Sequence, residues 1–239
     1  MYFQLGSALL VLALLVPVPP VVAVTTLGDG TSYQMGQVEG MTWQASGILT
    51  QGCTSSVSGI NDCYQMTLSS NPNDNLDPGN WTPRQRNELH FPPQSDGATW
   101  NYQWKHYLAP GTGSTTHFFH MMQVFSTADD GPLVTLDPIS GAVRITDYER
   151  GCNPCGPTYS PLSSYEGRTT LHKMTITSGS NGNLEYAVTD ASTGAALISY
   201  SVAGYMGSQT YIKFGTYRAT EDITTGVVAY VGDFSSSEQ

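Results

Sequence analysis

The sequence predicts an all-β protein folded as a two-sheet antiparallel sandwich of the jelly-roll kind. Three observations predict it. Only 12% of the 239 residues are charged, and the helix-forming Lys, Glu and Arg are scarce while Thr, Val, Tyr and Phe recur in short runs. Within those runs apolar and polar residues alternate with a period of two. Between them stand Gly, Asn, Asp, Ser and Pro, as strands joined by turns demand. An apolar content of 39% is incompatible with a disordered chain. The length fits one sandwich, since such folds reach roughly 200 to 250 residues as a single unit. No repeat period is present, which argues against a propeller.

From the N-terminus, residues 5–18 are apolar except for Ser7, and Val21, Val22 and Ala23 are small residues of the kind a signal peptidase accepts. Residues 1–23 are therefore expected to be a signal peptide and 24–239 a single secreted domain. The apolar run is shorter than the roughly 20 residues of a membrane span and contains Pro17, so no membrane anchor is expected. Strands are expected over residues 43–49, 63–68, 84–91, 100–108, 117–126, 133–137, 142–147, 169–177, 183–189, 196–202, 210–217 and 227–234. Hairpin turns are expected at Ser180-Asn181-Gly182 and Ser192-Thr193-Gly194. Residues 68–83, rich in Asn, Asp and Pro, read as a long surface loop, and Asn80-Trp81-Thr82 within it is a glycosylation acceptor.

Nine Lys plus Arg stand against nineteen Asp plus Glu, a formal charge of −10, so no diffuse basic surface exists to hold nucleic acid or anionic lipid. An acidic partner must be held by local cations. Export makes the surroundings oxidising, and Cys53, Cys63, Cys152 and Cys155 then read as two disulfides. Three pairings are formally open; the two local ones are favoured. Cys152-Asn-Pro-Cys155 has the spacing of a redox motif, but Gly151, Gly156 and Pro157 around it predict a pinned loop.

Three strands carry unusual polarity. Alternation puts Arg84, Arg86, Glu88 and His90 on one face of the 84–91 strand, a costly use of two of nine basic residues for solubility alone. In the 117–126 strand it groups His117, Phe119, Met121, Gln123 and Phe125 against Phe118, His120, Met122 and Val124. Gln123 there needs hydrogen-bond partners, and His120 is expected as a packed histidine. In the third strand Tyr211, Lys213 and Tyr217 share a face opposite Ile212 and Phe214.

Arg86-Asn87-Glu88-Leu89 resembles the first strand motif of the jelly-roll alginate lyases. Tyr211-Ile212-Lys213-Phe214-Gly215-Thr216-Tyr217 resembles their C-terminal Tyr-Phe-Lys-Ala-Gly-x-Tyr. With the signal segment, the His-rich middle strand and the closing Lys-Phe-Gly-Thr-Tyr-Arg, the organisation is similar to the fungal glucuronan lyases of polysaccharide lyase family 20. The resemblance spans residues 84–234 and implies a concanavalin A-like jelly roll that acts on an acidic polysaccharide. Two departures stand out: His90 replaces the last Arg of the first motif, and Gln123-Val124-Phe125 replaces Gln-Ile-His. Both point away from alginate.

The chemistry implied is β-elimination on a uronate chain, in which C5 loses its proton, O4 leaves from C4, and no water is consumed. The site must neutralise the carboxylate beside C5, for which Arg86, Gln123 and His90 are the types required. A base and an acid must reach C5 and O4. Tyr211 is the expected proton carrier, with Tyr217 as the alternative; its ordinary pKa near 10 calls for neighbouring cations such as Lys213, Arg86 and Arg218. Substrate contacts are expected from Arg84, Glu88, His117, Lys213, Tyr217 and Arg218. In β-1,4-linked glucuronate the C5 proton and O4 leave from the same side, so one tyrosine could serve as base and acid in turn. No catalytic cofactor is expected. The resemblance implies a structural calcium, with Asp233 as candidate ligand among the turn aspartates. The protein is expected to act as a monomer. A lectin-like sandwich is the competing class; a glycoside hydrolase ranks last, because Glu88 is the only carboxylate in the three polar strips.

Overall fold

The computed structural model describes residues 23–53, 59–79 and 82–239; residues 1–22 of the expected signal segment and Asn80 lie outside the described residues. The strands are β1 (Thr25–Asp29), β2 (Gln34–Val38), β3 (Met41–Ala45), β4 (Ile48–Gln51), β5 (Cys63–Leu68), β6 (Arg84–His90), β7 (Thr99–Leu108) and β8 (Phe119–Ser126). They continue with β9 (Val134–Ile139), β10 (Ala142–Asp147), β11 (Thr169–Thr177), β12 (Gly182–Asp190), β13 (Ala196–Gly204), β14 (Thr210–Ala219) and β15 (Val227–Glu238). One short 3-10 turn, Leu162–Ser164, interrupts them.

Two antiparallel sheets face each other. The eight-stranded sheet runs β1-β4-β5-β15-β7-β11-β12-β13 and the seven-stranded sheet β10-β9-β8-β14-β6-β3-β2. This is the jelly-roll sandwich that the alternation predicted. The expected single strand over 43–49 is two: the chain turns at Ser46-Gly47 and crosses from the seven-stranded sheet to the eight-stranded one. Gly47 is needed at that corner, since a Cβ there would sit 2.4 Å from the carbonyl oxygen of Thr67.

Aromatic residues on the inner faces join the layers. Phe214 of β14 stacks on Trp104 of β7 with centroids 5.3 Å apart, and Phe91 meets Tyr102 at 4.8 Å. Each such ring, fully buried, stabilises the sandwich by about 1.5–3 kcal/mol. Both disulfides take the local pairing, Cys53 with Cys63 and Cys152 with Cys155.

Beside Trp104 lie two buried histidines, His172 with its ring 4.9 Å from the indole and His106 with its ring 5.8 Å from that of His172. His172 is bracketed by the hydroxyls of Tyr186 and Thr170 at 2.7 and 2.8 Å, whereas among the described residues neither ring nitrogen of His106 makes a well-formed hydrogen bond. Burial pushes His106 down to about 4, against a weaker upward pull from the Gly215 backbone, and burial pushes His172 down as well. Both stay neutral in the fold while the unfolded chain protonates them near pH 6.5, so stability is complete above pH 6.5 and declines as the pH falls towards 4. With one pKa unit worth 1.36 kcal/mol, His106 alone should remove about 2 kcal/mol between pH 7 and pH 5. Denaturant unfolding at the two pH values should record at least that drop, and His106→Leu should reduce it, leaving the part that His172 contributes.

Candidate active site

Three strands of the seven-stranded sheet assemble the site, with β14 in the middle. On its β6 side the register is continuous, pairing Lys213 with His90, Gly215 with Glu88 and Tyr217 with Arg86. Alternation therefore lays Tyr211, Lys213 and Tyr217 beside His90, Glu88, Arg86 and Arg84 on one outer face. On its β8 side Tyr211 pairs with Phe125 and Lys213 with Gln123, and then the register shifts between Phe214 and Tyr217 so that Tyr217 pairs with His120. This β-bulge overturns the expected faces of the 117–126 strand. Met121 and Phe119 pack in the core, and His120 joins Gln123 on the outer face. Gly215 occupies the bulge with φ +143.

The outer face floors a cleft of about 460 Å³ whose lining includes Arg84, Arg86, His120, Gln123, Lys213 and Tyr217. Asp77, from the segment before β6, closes one side. It takes the Nε and Nη2 hydrogens of Arg86 at 3.1 and 2.8 Å. The Nη1 of the same arginine donates to Glu88 and to Gln44, both at 3.1 Å. Burial works against the Arg86 charge, but Glu88, Tyr217 and Asp77 outweigh it and hold the guanidinium more firmly protonated than usual. Every arm of Arg86 is thus engaged by the protein, and its Cζ lies 4.0 Å from the Tyr217 ring centroid. Asp77 was not anticipated; a lone Asp in a polar loop carries no local signal.

Lys213 is in a different state. Its Nζ stands 4.6 Å from the Phe125 ring centroid and 5.8 Å from that of Tyr211, and among the described residues no carboxylate forms an ion pair with it. Burial lowers its pKa, with Glu88 pulling the other way. Gln123 donates its amide to Glu88 Oε1, which satisfies the buried polar group the sequence flagged.

The two tyrosines differ in their charges. Tyr217 Oη accepts from Arg84 Nη1 at 2.8 Å. Burial raises its pKa, while Arg86 and Arg84 both act downward. Tyr211 lies 5.3 Å from His90 and 5.7 Å from Phe125, ring to ring; burial and then Glu88 raise its pKa, with Arg86 alone opposing. His90 is pushed down by burial and contacts the Phe91 carbonyl at 3.3 Å.

Three expected contacts fall elsewhere. Arg218 projects from the opposite face of β14, because it is one residue out of phase with Tyr217, and it donates to Gln85 Oε1 and to the Ser69 carbonyl at 3.0 and 2.8 Å. His117 precedes β8 and places its ring nitrogens 2.7 and 3.1 Å from Glu221 and Asp222, outside the cleft lining. Asp233 does not fit a calcium site: it lies on the other sheet, accepts the Asn61 and Asp62 backbone N–H groups, and holds Lys105 Nζ at 2.8 Å where a cation would have to bind. Among the described residues no group of three His, Cys, Asp or Glu is placed to hold a metal.

No protein-family model matches the sequence, and no curated protein matches it either. Solved structures do resemble its fold. An endo-β-1,4-glucuronan lyase from the fungus Trichoderma reesei superimposes with a TM-score of 0.57 at 14% identity, covering 87% of this chain and 95% of its own. The family 7 alginate lyase A1-II′, in complex with product, gives 0.55 at 14% identity, covering 79% and 86%. The cellulose induced protein Cip1 gives 0.51 at 12% identity, covering 88% and 93%. The chain therefore has the two-sheet jelly-roll fold on which glucuronan and alginate lyases of known structure are built.

Proposed function

We propose that the protein is a secreted polysaccharide lyase that cleaves β-1,4-linked uronate chains, glucuronan foremost, by β-elimination. One observation carries the reading: a phenol held by an arginine, an amide and a cation without a carboxylate partner converge in a single cleft on one sheet face. A uronate carboxylate entering the cleft meets Lys213 and Gln123, which quench its charge and make the C5 proton removable. Arg86 is held by Asp77 and Glu88 and supports the Tyr217 ring rather than receiving the substrate. Tyr217, with Arg84 on its oxygen, is the proton carrier in this reading in preference to Tyr211, whose hydroxyl has no cation hydrogen-bonded to it among the described residues. Two disulfides agree with an extracellular setting.

Incubating the protein with glucuronan, alginate and a neutral β-glucan tests this directly. Ultraviolet absorbance from conjugated uronate ends should rise with glucuronan and stay flat with the β-glucan. New reducing ends without that absorbance would mean hydrolysis; retention of polymer with neither signal would mean a carbohydrate-binding module.

A further inference from the structure

Where the segment before β8 meets the turn after β14, a second cavity of about 80 Å³ opens, which shares only Phe118 with the lining of the cleft. Arg218 of β14 and Phe119 of β8, both buried, line it. Arg218 is only 4% exposed. Its Nε and Nη2 donate to two neutral acceptors, Gln85 Oε1 and the Ser69 carbonyl, and among the described residues Nη1 meets no acceptor and no carboxylate pairs with the group. Burial alone lowers its pKa, to about 10, so the guanidinium is still charged at neutral pH. The sandwich thus holds a buried cation without a counter-ion, which is costly. The rest of the cavity offers hydrogen-bond donors. Ser114 Oγ accepts the Gly141 N–H at 2.8 Å and Thr115 Oγ1 the His117 N–H at 3.0 Å, so each hydroxyl keeps its own hydrogen to give. The one carboxylate among the described lining residues, Asp222, lies 3.1 Å from His117 Nε2 with its side chain 80% exposed. The two walls are tied together, since Thr225 Oγ1 donates to the Thr112 carbonyl.

We propose that this cavity binds one small monovalent anion of the halide class, chloride foremost, held by Arg218 with Ser114 and Thr115 as further donors. The inference stands apart from the lyase reading. Charge decides between occupants: a water molecule satisfies open N–H groups but leaves the positive charge uncompensated, whereas a small anion answers both. Size decides the rest. At about 30 Å³ for each water-sized particle, the space takes an ion with a water or two and no sugar ring. The formal charge of −10 repels anions from the surface at large, so retention here depends on the buried guanidinium. A bound anion joins the segment before β8 to β14. It also steadies Phe118, whose ring packs 5.1 Å from that of Tyr217 and 5.0 Å from that of His120.

Thermal melts in sodium chloride and in sodium gluconate at constant ionic strength test the site, because gluconate is too large to enter. The melting temperature should rise with chloride along a saturating curve and stand about 5–10 °C above the gluconate value at 100 times Kd. Arg218→Met keeps an unbranched side chain and removes the charge, so its melting temperature should be the same in both salts. Should that variant fail to fold, crystals of the wild type soaked in bromide decide. The anomalous signal should fall inside the cavity, within hydrogen-bond reach of Arg218 Nη1. Equal wild-type melts in the two salts, a rise that never levels off, a chloride effect that persists in Arg218→Met, or a cavity that holds only water in bromide-soaked crystals would each overturn the site. None of these readouts uses turnover, so the lyase reading stands or falls separately.

Discussion

Replacing Tyr217 by Phe should lower kcat on glucuronan by about 10²- to 10⁴-fold while leaving polymer binding and folding nearly intact. The substitution removes one oxygen and little else. The ring keeps its place under Arg86 at 4.0 Å and beside Phe118 at 5.1 Å, so the cleft wall is preserved. Arg84 Nη1 loses its acceptor at 2.8 Å, but its Nε still donates to the Thr82 carbonyl at 2.9 Å. The net stability change for one such bond is about 0.5–1.5 kcal/mol. What disappears is the hydroxyl that carries the proton in the proposed reaction. Tyr211→Phe is the matched control, because Tyr211 contacts His90 and Phe125 and, among the described residues, no cation is hydrogen-bonded to its hydroxyl. Steady-state kinetics on both variants separate the alternatives: retained turnover in Tyr217→Phe together with loss in Tyr211→Phe would move the proton carrier to the other end of β14.

Gly215→Ala should destabilise the protein by about 2–4 kcal/mol, combining backbone strain with overlap in a packed interior. The residue has φ +143, a conformation that L side chains rarely adopt, and an added Cβ would stand 2.3 Å from the Asn87 carbonyl oxygen and 3.0 Å from Glu88 Cα. Both obstacles are β6 backbone, which cannot yield without moving Arg86 and Glu88. At roughly 2–4 °C per kcal/mol for a domain of this size, the melting temperature should fall by about 5–15 °C. Activity should fall as well, since the bulge at this position brings His120 and Gln123 to a common face. Gly141→Ala provides the contrast: its φ is +75, but nothing lies within 4 Å of the added carbon. Only the cost of the left-handed backbone, about 1 kcal/mol, is expected there. Thermal melts of the two variants with a turnover assay check both statements.

Period-two alternation made most of the sandwich legible. The residues of β5, β10 and β11 are bounded as the pattern indicates, because over most of each strand buried and half-buried side chains alternate between clear turn residues. β1 and β2 escaped notice: Thr-Thr-Leu-Gly-Asp and Gln-Met-Gly-Gln-Val each carry a Gly and few apolar residues, and both strands sit at sheet edges. The same alternation placed Arg84, Arg86, Glu88 and His90 with Lys213 and Tyr217, since β6 and β14 run in unbroken register. It failed for His120, whose face is decided by a bulge against a partner nearly a hundred residues away in sequence. Asp137 was readable as an aspartate in an apolar strand, but its three hydrogen-bond partners, His120, Thr135 and Thr146, come from β8, β9 and β10, a convergence only the fold supplies.

The order of strands bears on how the molecule comes together. β14 sits between β8 and β6 in one sheet, and β15 between β7 and β5 in the other. Without these two strands each sheet falls into an early fragment built from β1 to β6 and a middle fragment built from β7 to β13. Residues 210–238 are thus the keystone of both layers, joining the two fragments of each sheet. Arg86 belongs to the early fragment, His120 to the middle one and Tyr217 to the keystone. The proposed active cleft is therefore complete only once all three parts of the chain are joined in one sheet.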